Sequence, residues 1–139
     1  MSHWFTVVAL PALILAAGPA LAQEDFARPE VLHDEVLQTM PKGSSQEVRV
    51  LTASFKPGQR TVFHTHRFPV AVYVIEGTFT LEMEGHPVMT LHAGESMIES
   101  PHTPMTGYNR TSGQTRVVIF NVSNPGEPFL DLVTPTQAH

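Results

Sequence analysis

Turn-forming residues recur along most of this chain, and this regular punctuation limits what it can fold into. After residue 40, pairs containing Gly or Pro interrupt the sequence, and all but the first two of them are about seven to thirteen residues apart. The pairs are Pro57-Gly58, Glu76-Gly77, Glu84-Gly85, Ala93-Gly94, Ser100-Pro101, Ser112-Gly113 and Pro125-Gly126. The segments between them are short, rich in Val, Ile, Phe, Thr and Met, and without a sustained helical period. Short strands joined by frequent turns predict an all-β sandwich or barrel.

Several of the segments between these turns are predicted β-strands. They cover Gln46 to Phe55, Val70 to Ile75, Thr78 to Met83, Val88 to Leu91 and Thr115 to Val122. Thr78 to Met83 alternates polar and apolar residues, which predicts that one face of this strand is wet. Val72 to Ile75 does not alternate, so we expect a central strand that is covered on both faces. A further short strand is predicted over residues 35–40.

The first residues have the pattern of a secretory signal peptide. Phe5 to Ala20 is almost wholly apolar, and Ala20-Leu21-Ala22 is a small-residue cleavage pattern followed by polar residues. The apolar run is short for a membrane span. We therefore predict that residues 1–22 are a cleaved signal peptide, that the protein is periplasmic or secreted, and that the mature chain has no membrane partner.

The rest of the chain is long enough for one domain, since cleavage after Ala22 leaves 117 of the 139 residues. The predicted organisation is an N-terminal arm with the short strand over residues 23–45, a barrel over 46–123 and a C-terminal tail over 124–139. The sequence has no cysteine, so the domain has no disulfide and thiol catalysis is excluded. The net charge of −5 argues against nucleic acid as a partner.

His64-Thr65-His66 is the strongest functional motif in the sequence. In an extended segment, residues i and i+2 point to the same face, so both imidazoles can reach one ion. Imidazole is the commonest metal ligand in proteins and suits Zn, Cu, Fe and Ni. The pair therefore predicts a metal site.

Two parts of the sequence resemble the two motifs of the cupin family. The first comprises Gly58, His64-Thr65-His66 and Val72 to Gly77, and the second comprises Gly94-Glu95, Ser100 to Met105 and Asn109. Together with the strand and turn pattern, the resemblance covers most of residues 46–121. It implies an antiparallel double-stranded β-helix, which is a small jelly-roll barrel, with ligands bound inside the mouth of the barrel.

The resemblance also names the expected metal ligands. Cupins normally use the two histidines of the first motif, a glutamate four residues later and a histidine from the second motif. His64 and His66 match the histidines of the first motif, whereas Val70 and Met105 stand at the other two positions. The sequence therefore keeps only part of the family ligand set, which indicates an altered metal site.

Three interpretations of the altered site stay open at this point. In the first, His64, His66 and the thioether of Met105 bind a soft ion, with copper favoured, because thioether ligands select Cu(I). In the second, His102 or Glu99 supplies the missing ligand for a divalent ion such as Zn, Fe, Ni or Mn. In the third, no metal binds, and the two histidines line a cavity for a small organic ligand.

These interpretations correspond to three classes of function. The first prediction is an exported cupin that binds a metal ion, copper in the favoured version. The alternatives are a metal-dependent enzyme of dioxygenase, isomerase or lyase type, and a metal-free cupin that binds a ligand or a partner protein. In each case the expected partners are a metal ion or a small molecule, together with a second copy of the chain, since the resemblance implies a homodimer.

Overall fold

The computed structural model describes residues 27–134, which form nine β-strands and contain no helix. The strands are β1 (Glu47–Phe55), β2 (His64–Thr65), β3 (Val70–Glu76), β4 (Thr78–Met83), β5 (Met89–His92), β6 (Ser96–Glu99), β7 (Met105–Tyr108), β8 (Thr115–Ser123) and β9 (Asp131–Leu132). The chain divides into two units, and all nine strands lie in the second, which begins at Val31. Within residues 27–134, no helix is long and apolar enough to cross a membrane. The predicted signal peptide lies outside the described residues, so its cleavage and the export of the protein remain predictions.

The strands form two antiparallel sheets. One sheet has the order β1-β8-β3-β6, and the other has the order β5-β4-β7-β2-β9. β1 pairs with β8 along its whole length, from Glu47 opposite Ser123 to Phe55 opposite Thr115. The all-β prediction is confirmed, and this pairing of the first and last long strands is typical of a jelly-roll barrel.

The hydrophobic core lies between the inner faces of the two sheets. Its buried apolar residues are Phe55, Val70, Val72, Val74, Phe79, Leu81, Met83, Leu91, Met97, Met105 and Val117. Because strand side chains alternate between faces, Val70, Val72 and Val74 of β3 all point inward. The burial of these side chains is the main stabilising contribution in a chain without disulfides.

The burial of strands β3 and β4 departs from what their sequences predict. The prediction that Val72 to Ile75 is covered on both faces is wrong for a single chain, because Tyr73 and Ile75 are 37% and 41% exposed. The prediction of a wet face for Thr78 to Met83 holds only in part: Thr78 and Glu82 are partly exposed, but Thr80 between them is buried. Since β4 lies between β5 and β7, Thr80 has a register partner on each side, Thr90 and Tyr108.

The N-terminal arm has no strand over residues 35–40, so the short strand predicted there is wrong. No strand in the described part of the chain pairs with this segment, and Val36 is 82% exposed. A segment of strand-like composition needs a neighbouring strand to pair its backbone groups and cover its apolar side chains. This segment has no such neighbour, so it stays irregular.

Part of the predicted C-terminal tail belongs to the second sheet. β9 pairs with β2, with Leu132 opposite His64 and Asp131 opposite Thr65. The tail therefore wraps the barrel directly beside the histidine pair.

The outer face of the β1-β8-β3-β6 sheet is apolar and exposed. The register places Val50 of β1 beside Phe120 of β8, and Phe120 beside Ala71 of β3. Val50 and Phe120 are 68% and 45% exposed, and Tyr73 lies on the same face as Ala71. A contiguous apolar face on a single chain indicates a contact surface. A second copy of the chain packed on this surface would cover Tyr73 and Ile75, the side chains of β3 that are exposed in a single chain.

We expect this outer face to be buried in a homodimer. Phe120→Glu places a charge in the middle of the face, so it should convert the dimer into a monomer, seen in light scattering as a halving of the molar mass. Val88→Glu changes an exposed apolar residue outside this face and should leave the dimer intact. A monomeric wild-type protein, or a dimeric Phe120→Glu variant, would contradict the prediction.

Candidate metal and ligand site

Strand β2 brings His64 and His66 to the same buried place. His64 begins the strand and lies opposite Met105 of β7 and Leu132 of β9. His66 directly follows the strand, and its carbonyl oxygen accepts a hydrogen bond from the backbone N–H of His102 (2.7 Å). Both imidazoles are almost fully buried, and they point to the same face, as the alternation of an extended segment predicts.

Backbone carbonyl groups fix the tautomer of both histidines. Nδ1 of His64 lies 2.7 Å from the carbonyl oxygen of Val62, and Nδ1 of His66 lies 2.8 Å from the carbonyl oxygen of Phe129. Because a carbonyl oxygen can only accept, each Nδ1 carries a proton and donates it. Each neutral ring therefore has its lone pair on Nε2, and metal-binding histidines are held in the same way.

The two Nε2 atoms converge with the carboxylate of Glu99. The Nε2 atoms of His64 and His66 are 3.2 Å apart, and Nε2 of His66 is 3.1 Å from Oε2 of Glu99. All three side chains are buried. Acceptor atoms this close repel one another in a region of low dielectric unless a cation lies among them. A proton on one Nε2 relieves the repulsion, and so does a metal ion bound by the three atoms.

Two imidazole nitrogens and a carboxylate have the chemistry of a metal-binding set. Within residues 27–134, no group of three or more His, Cys, Asp and Glu side chains is already arranged around a common metal position. Glu99 contacts His66 alone of the two histidines, so the three groups form an open chain. Ligand atoms of a tetrahedral site with bonds of about 2.0–2.2 Å lie roughly 3.3–3.6 Å apart, slightly more than the two short distances of 3.2 and 3.1 Å. A turn of the Glu99 carboxylate toward His64 would complete the set.

Glu99 stands one strand away from the position where cupins carry their glutamate. Val70 occupies that position, is fully buried, and lies directly opposite Glu99 in the register of β3 and β6. Opposite residues of an antiparallel pair point to the same face, with their Cβ atoms about 4.5–5.5 Å apart. The carboxylate thus reaches the histidine pair from the neighbouring strand.

The other two predicted ligands differ in position: Met105 lies directly opposite His64 in the register of β7 and β2, whereas His102 follows the end of β6. Met105 is fully buried in the hydrophobic core, on the same sheet face as His64. The side chain of His102 is exposed, and its φ of 57° is a left-handed conformation that glycine adopts most easily. Glycine is also the usual family residue at this position. His102 contacts the site through its backbone N–H, and the role of either side chain as a ligand remains a prediction.

Burial lowers the pKa of His64. The hydrogen bond to Val62 raises it, the neighbouring His66 lowers it, and the carboxylate of Glu99 raises it, and the net shift is downward. The ring therefore stays neutral at lower pH than an ordinary histidine, whose pKa is about 6.5. Since metal ions bind the neutral imidazole, the environment of His64 keeps it in the form of a ligand.

An ion pair fastens the tail to the histidine segment. Nε and Nη2 of Arg67 donate to the two carboxylate oxygens of Asp131, at 2.8 and 3.0 Å, and this contact holds the pKa of Asp131 below its usual range. Nη1 of Arg67 also lies 3.6 Å from Glu127. Between Glu127 and Asp131 lies Phe129, whose carbonyl group and ring both contact His66. The tail therefore orients His66.

A cavity of about 150 Å³ lies between the two sheets beside the histidine pair. His64, His66 and Glu99 form part of its wall, and most of the other lining side chains are apolar. The cavity is smaller than the roughly 300–1,000 Å³ of typical ligand pockets, so it suits a small molecule.

The sequence alone indicates His64, His66 and Glu99 as candidate ligands, but it does not indicate the contribution of the tail. The carbonyl group of Phe129 belongs to the backbone, so the identity of the residue does not predict its contact with His66. Arg67 and Asp131 are 64 residues apart, and no motif spacing pairs them. The charge of Arg67 directly after the histidine motif is the one signal that could have suggested a partner nearby.

We predict that the metal-free protein loses stability as the pH falls below about 6.5. The unfolded chain has an ordinary His64 pKa of about 6.5, and the folded chain has a lower one. Between these two values the unfolded state binds more protons, so the free energy of unfolding decreases with falling pH, by at most about 1.4 kcal/mol per pH unit from this group. Urea unfolding between about pH 5 and pH 8 measures the slope.

His64→Gln should flatten this pH dependence. His86→Gln, which changes an exposed histidine, should leave it as in the wild type. Equal slopes in the wild type and in His64→Gln would show that His64 does not contribute.

Comparison with known proteins agrees with this architecture. The described fold resembles the DMSP lyase DddQ from Ruegeria pomeroyi, with a TM-score of 0.56 and 18% sequence identity over 66% of this chain and 45% of that chain. It also resembles a protein with a double-stranded β-helix domain from Klebsiella pneumoniae (TM-score 0.52, 24% identity, 63% of this chain and 75% of that chain). An RmlC-like cupin from Methanocaldococcus jannaschii is similar as well (TM-score 0.53, 15% identity, 66% of this chain and 93% of that chain).

These likenesses concern the fold, because all three identities are low, and this chain spans less than half the length of the DddQ chain. No curated protein sequence matches this chain. The family model described as a cupin domain matches residues 51–121, which is half of the chain and includes His64, His66 and Glu99. The protein therefore belongs to the cupin family.

Proposed function

We propose that this cupin binds one divalent transition-metal ion through His64, His66 and Glu99 and presents it to the neighbouring cavity, where a small molecule binds or reacts. The observation that carries the proposal is the convergence of two Nε2 lone pairs and a carboxylate, at 3.2 and 3.1 Å. All three groups are buried, and buried acceptors without a cation among them are unfavourable.

The proposed ligand set differs from the copper site that the sequence suggested. Two imidazoles and one carboxylate form a mixed nitrogen and oxygen set, which suits Fe(II), Zn(II), Ni(II) or Mn(II), and with open positions it is typical of non-haem iron sites. A Cu(I) site would instead use the thioether of Met105, which packs in the core and is not among the residues that line the cavity. The contact between Glu99 and His66 therefore favours a harder divalent ion.

Each residue around the proposed ion has a separate role. The carbonyl groups of Val62 and Phe129 orient the two imidazoles, and burial keeps His64 neutral. Glu99 contributes the negative charge that offsets the charge of the ion. A bound ion of this kind acts as a Lewis acid that polarises an oxygen or carbonyl group of a small molecule. The apolar walls of the cavity exclude water from that contact.

A second candidate function is a metal-free cupin that binds a small organic ligand. It is favoured by the observation that one proton also satisfies the site, since a proton on Nε2 of His66 would face both Glu99 and His64. In that case the pair would hydrogen-bond the ligand directly. Metal analysis separates the two candidates.

We predict that the protein holds one metal ion per chain and that the carboxylate can be moved between strands. Glu99→Val should weaken Zn(II) and Co(II) binding by more than the roughly 10–100-fold loss that follows removal of a second-shell partner. Because Val70 and Glu99 are opposite each other, adding Val70→Glu to Glu99→Val should restore much of this binding. Elemental analysis, competition titration and the visible spectrum of Co(II) measure it.

Two control variants accompany this experiment. Glu95→Gln changes an exposed glutamate and should bind metal like the wild type. Met105→Leu should leave Zn(II) binding unchanged under the proposal, whereas a selective loss of Cu(I) binding would support the copper site instead. A protein that binds no metal, or Glu99→Val with wild-type affinity, would overturn the proposal.

We also predict that the ion pair between Arg67 and Asp131 supports metal binding from a distance. Asp131→Asn weakens the contact that fastens the tail, so the carbonyl group of Phe129 should hold His66 less firmly. Metal affinity should then fall by about 10-fold, the lower range for second-shell changes, with a faster loss of metal to a chelator. Arg116→Gln removes an exposed ion pair with Glu76 far from the tail and should have no such effect. Equal chelation rates in Asp131→Asn and the wild type would contradict the prediction.

A further inference from the structure

The cavity beside the histidine pair has one polar end and apolar walls. The polar end consists of His64, His66 and Glu99. The walls are aliphatic and aromatic side chains from both sheets and from the tail, including Phe55, Val72, Phe79, Val117, Ile119 and Phe129. A molecule inside the cavity would have apolar contacts along its body and polar contacts at one end.

Away from this end, the walls offer almost no group for hydrogen bonding. The side chain of Thr61 is polar: its hydroxyl oxygen accepts a hydrogen bond from the backbone N–H of Gly107 (2.9 Å), which leaves its single O–H group to donate. No Lys or Arg of the described residues lines the cavity. A sugar, a dicarboxylate or a phosphate would leave buried polar groups without partners, which is unfavourable. The walls therefore select against ligands with several polar groups.

The volume of the cavity limits the size of the ligand. It measures about 150 Å³, and an engineered cavity of about this volume, lined by Leu, Ile and Phe, binds benzene. A molecule with one six-membered ring and a single substituent therefore fits, whereas a nucleotide or a disaccharide does not.

We propose that this cavity binds a small, largely apolar molecule, about the size of one six-membered ring, that carries a single hydroxyl, thiol or amine group. The ring lies among the apolar walls, and the polar atom faces His64, His66 and Glu99. The inference rests on the proposed metal site for the partner of the polar atom. The size and apolar character of the ligand follow from the walls alone.

Phenol and toluene form a matched pair of probes, since they share a ring and differ in one hydroxyl group. The protein is first loaded with Zn(II), and its metal content is measured before each titration by calorimetry or ligand-observed NMR. Phenol should bind at least about tenfold more tightly than toluene to the zinc-loaded protein, and glucose should not bind. Removal of zinc should weaken phenol binding and leave toluene binding unchanged.

Two substitutions test whether the probes occupy this cavity. Ala53→Leu fills it from β1 and should weaken phenol and toluene binding at least about tenfold, whereas Ser54→Leu, on the opposite face of the same strand, should not. Ile119→Ala enlarges the cavity and should shift the preference from phenol toward 4-propylphenol. The gain of 4-propylphenol binding by Ile119→Ala tests the location of the ligand even if Ala53→Leu does not fold.

The outcomes separate this inference from the metal site. Zinc-loaded protein that binds neither phenol nor toluene overturns the inference and leaves the metal site standing, and so does equal binding by Ala53→Leu and the wild type. Protein that holds no zinc but binds toluene overturns the metal site and the role of the polar atom, and supports the apolar cavity. Tight binding of glucose would overturn the ligand class.

Discussion

Two hydrogen bonds from buried imidazoles to backbone carbonyl groups determine the chemistry of this molecule. By accepting hydrogen bonds from the two Nδ1–H groups, the carbonyl groups of Val62 and Phe129 leave the Nε2 lone pairs of the two rings close to each other, with that of His66 also beside Glu99. With the opposite tautomer, the same side chains would present an N–H group to the carboxylate and could not share an ion. The two histidines indicate a site by their residue type, whereas their backbone partners determine which ring nitrogen can bind an ion.

The register of β3 and β6 explains how an altered ligand motif can still place a carboxylate at the histidine pair. The spacing of the motif considers positions along the sequence only, so Val70 at the position of the family glutamate indicates that a ligand is missing. In the folded sheet, Glu99 is the residue directly across from it, and opposite side chains point to the same face. A ligand can therefore move between adjacent strands while its carboxylate keeps the same neighbours.

The sequence predicts the features that depend on residues close together in the chain better than those that depend on distant residues. Alternation and turn residues are local, so the long strands and the convergence of His64 with His66 could be predicted. The exposure of Ile75, the burial of Thr80 and the irregular arm depend on neighbours that the local pattern does not name. The contact of Glu99 with His66 required the sheet register, and the contribution of Phe129 required the path of the tail. What was predicted least well is what depends on distant parts of the chain.

The path of the tail has a consequence for the order of events during folding. His64 and His66 lie near the middle of the chain, but the carbonyl group that orients His66 belongs to residue 129. During synthesis, the barrel strands up to Ser123 are made before this group exists. His66 therefore gains its final orientation only when residues 129–132 have been added and β9 has paired with β2. A chain that stops after β8 contains both histidines but lacks the carbonyl group of Phe129 that orients His66. Synthesis of the C-terminal segment therefore determines when the site can take its final form.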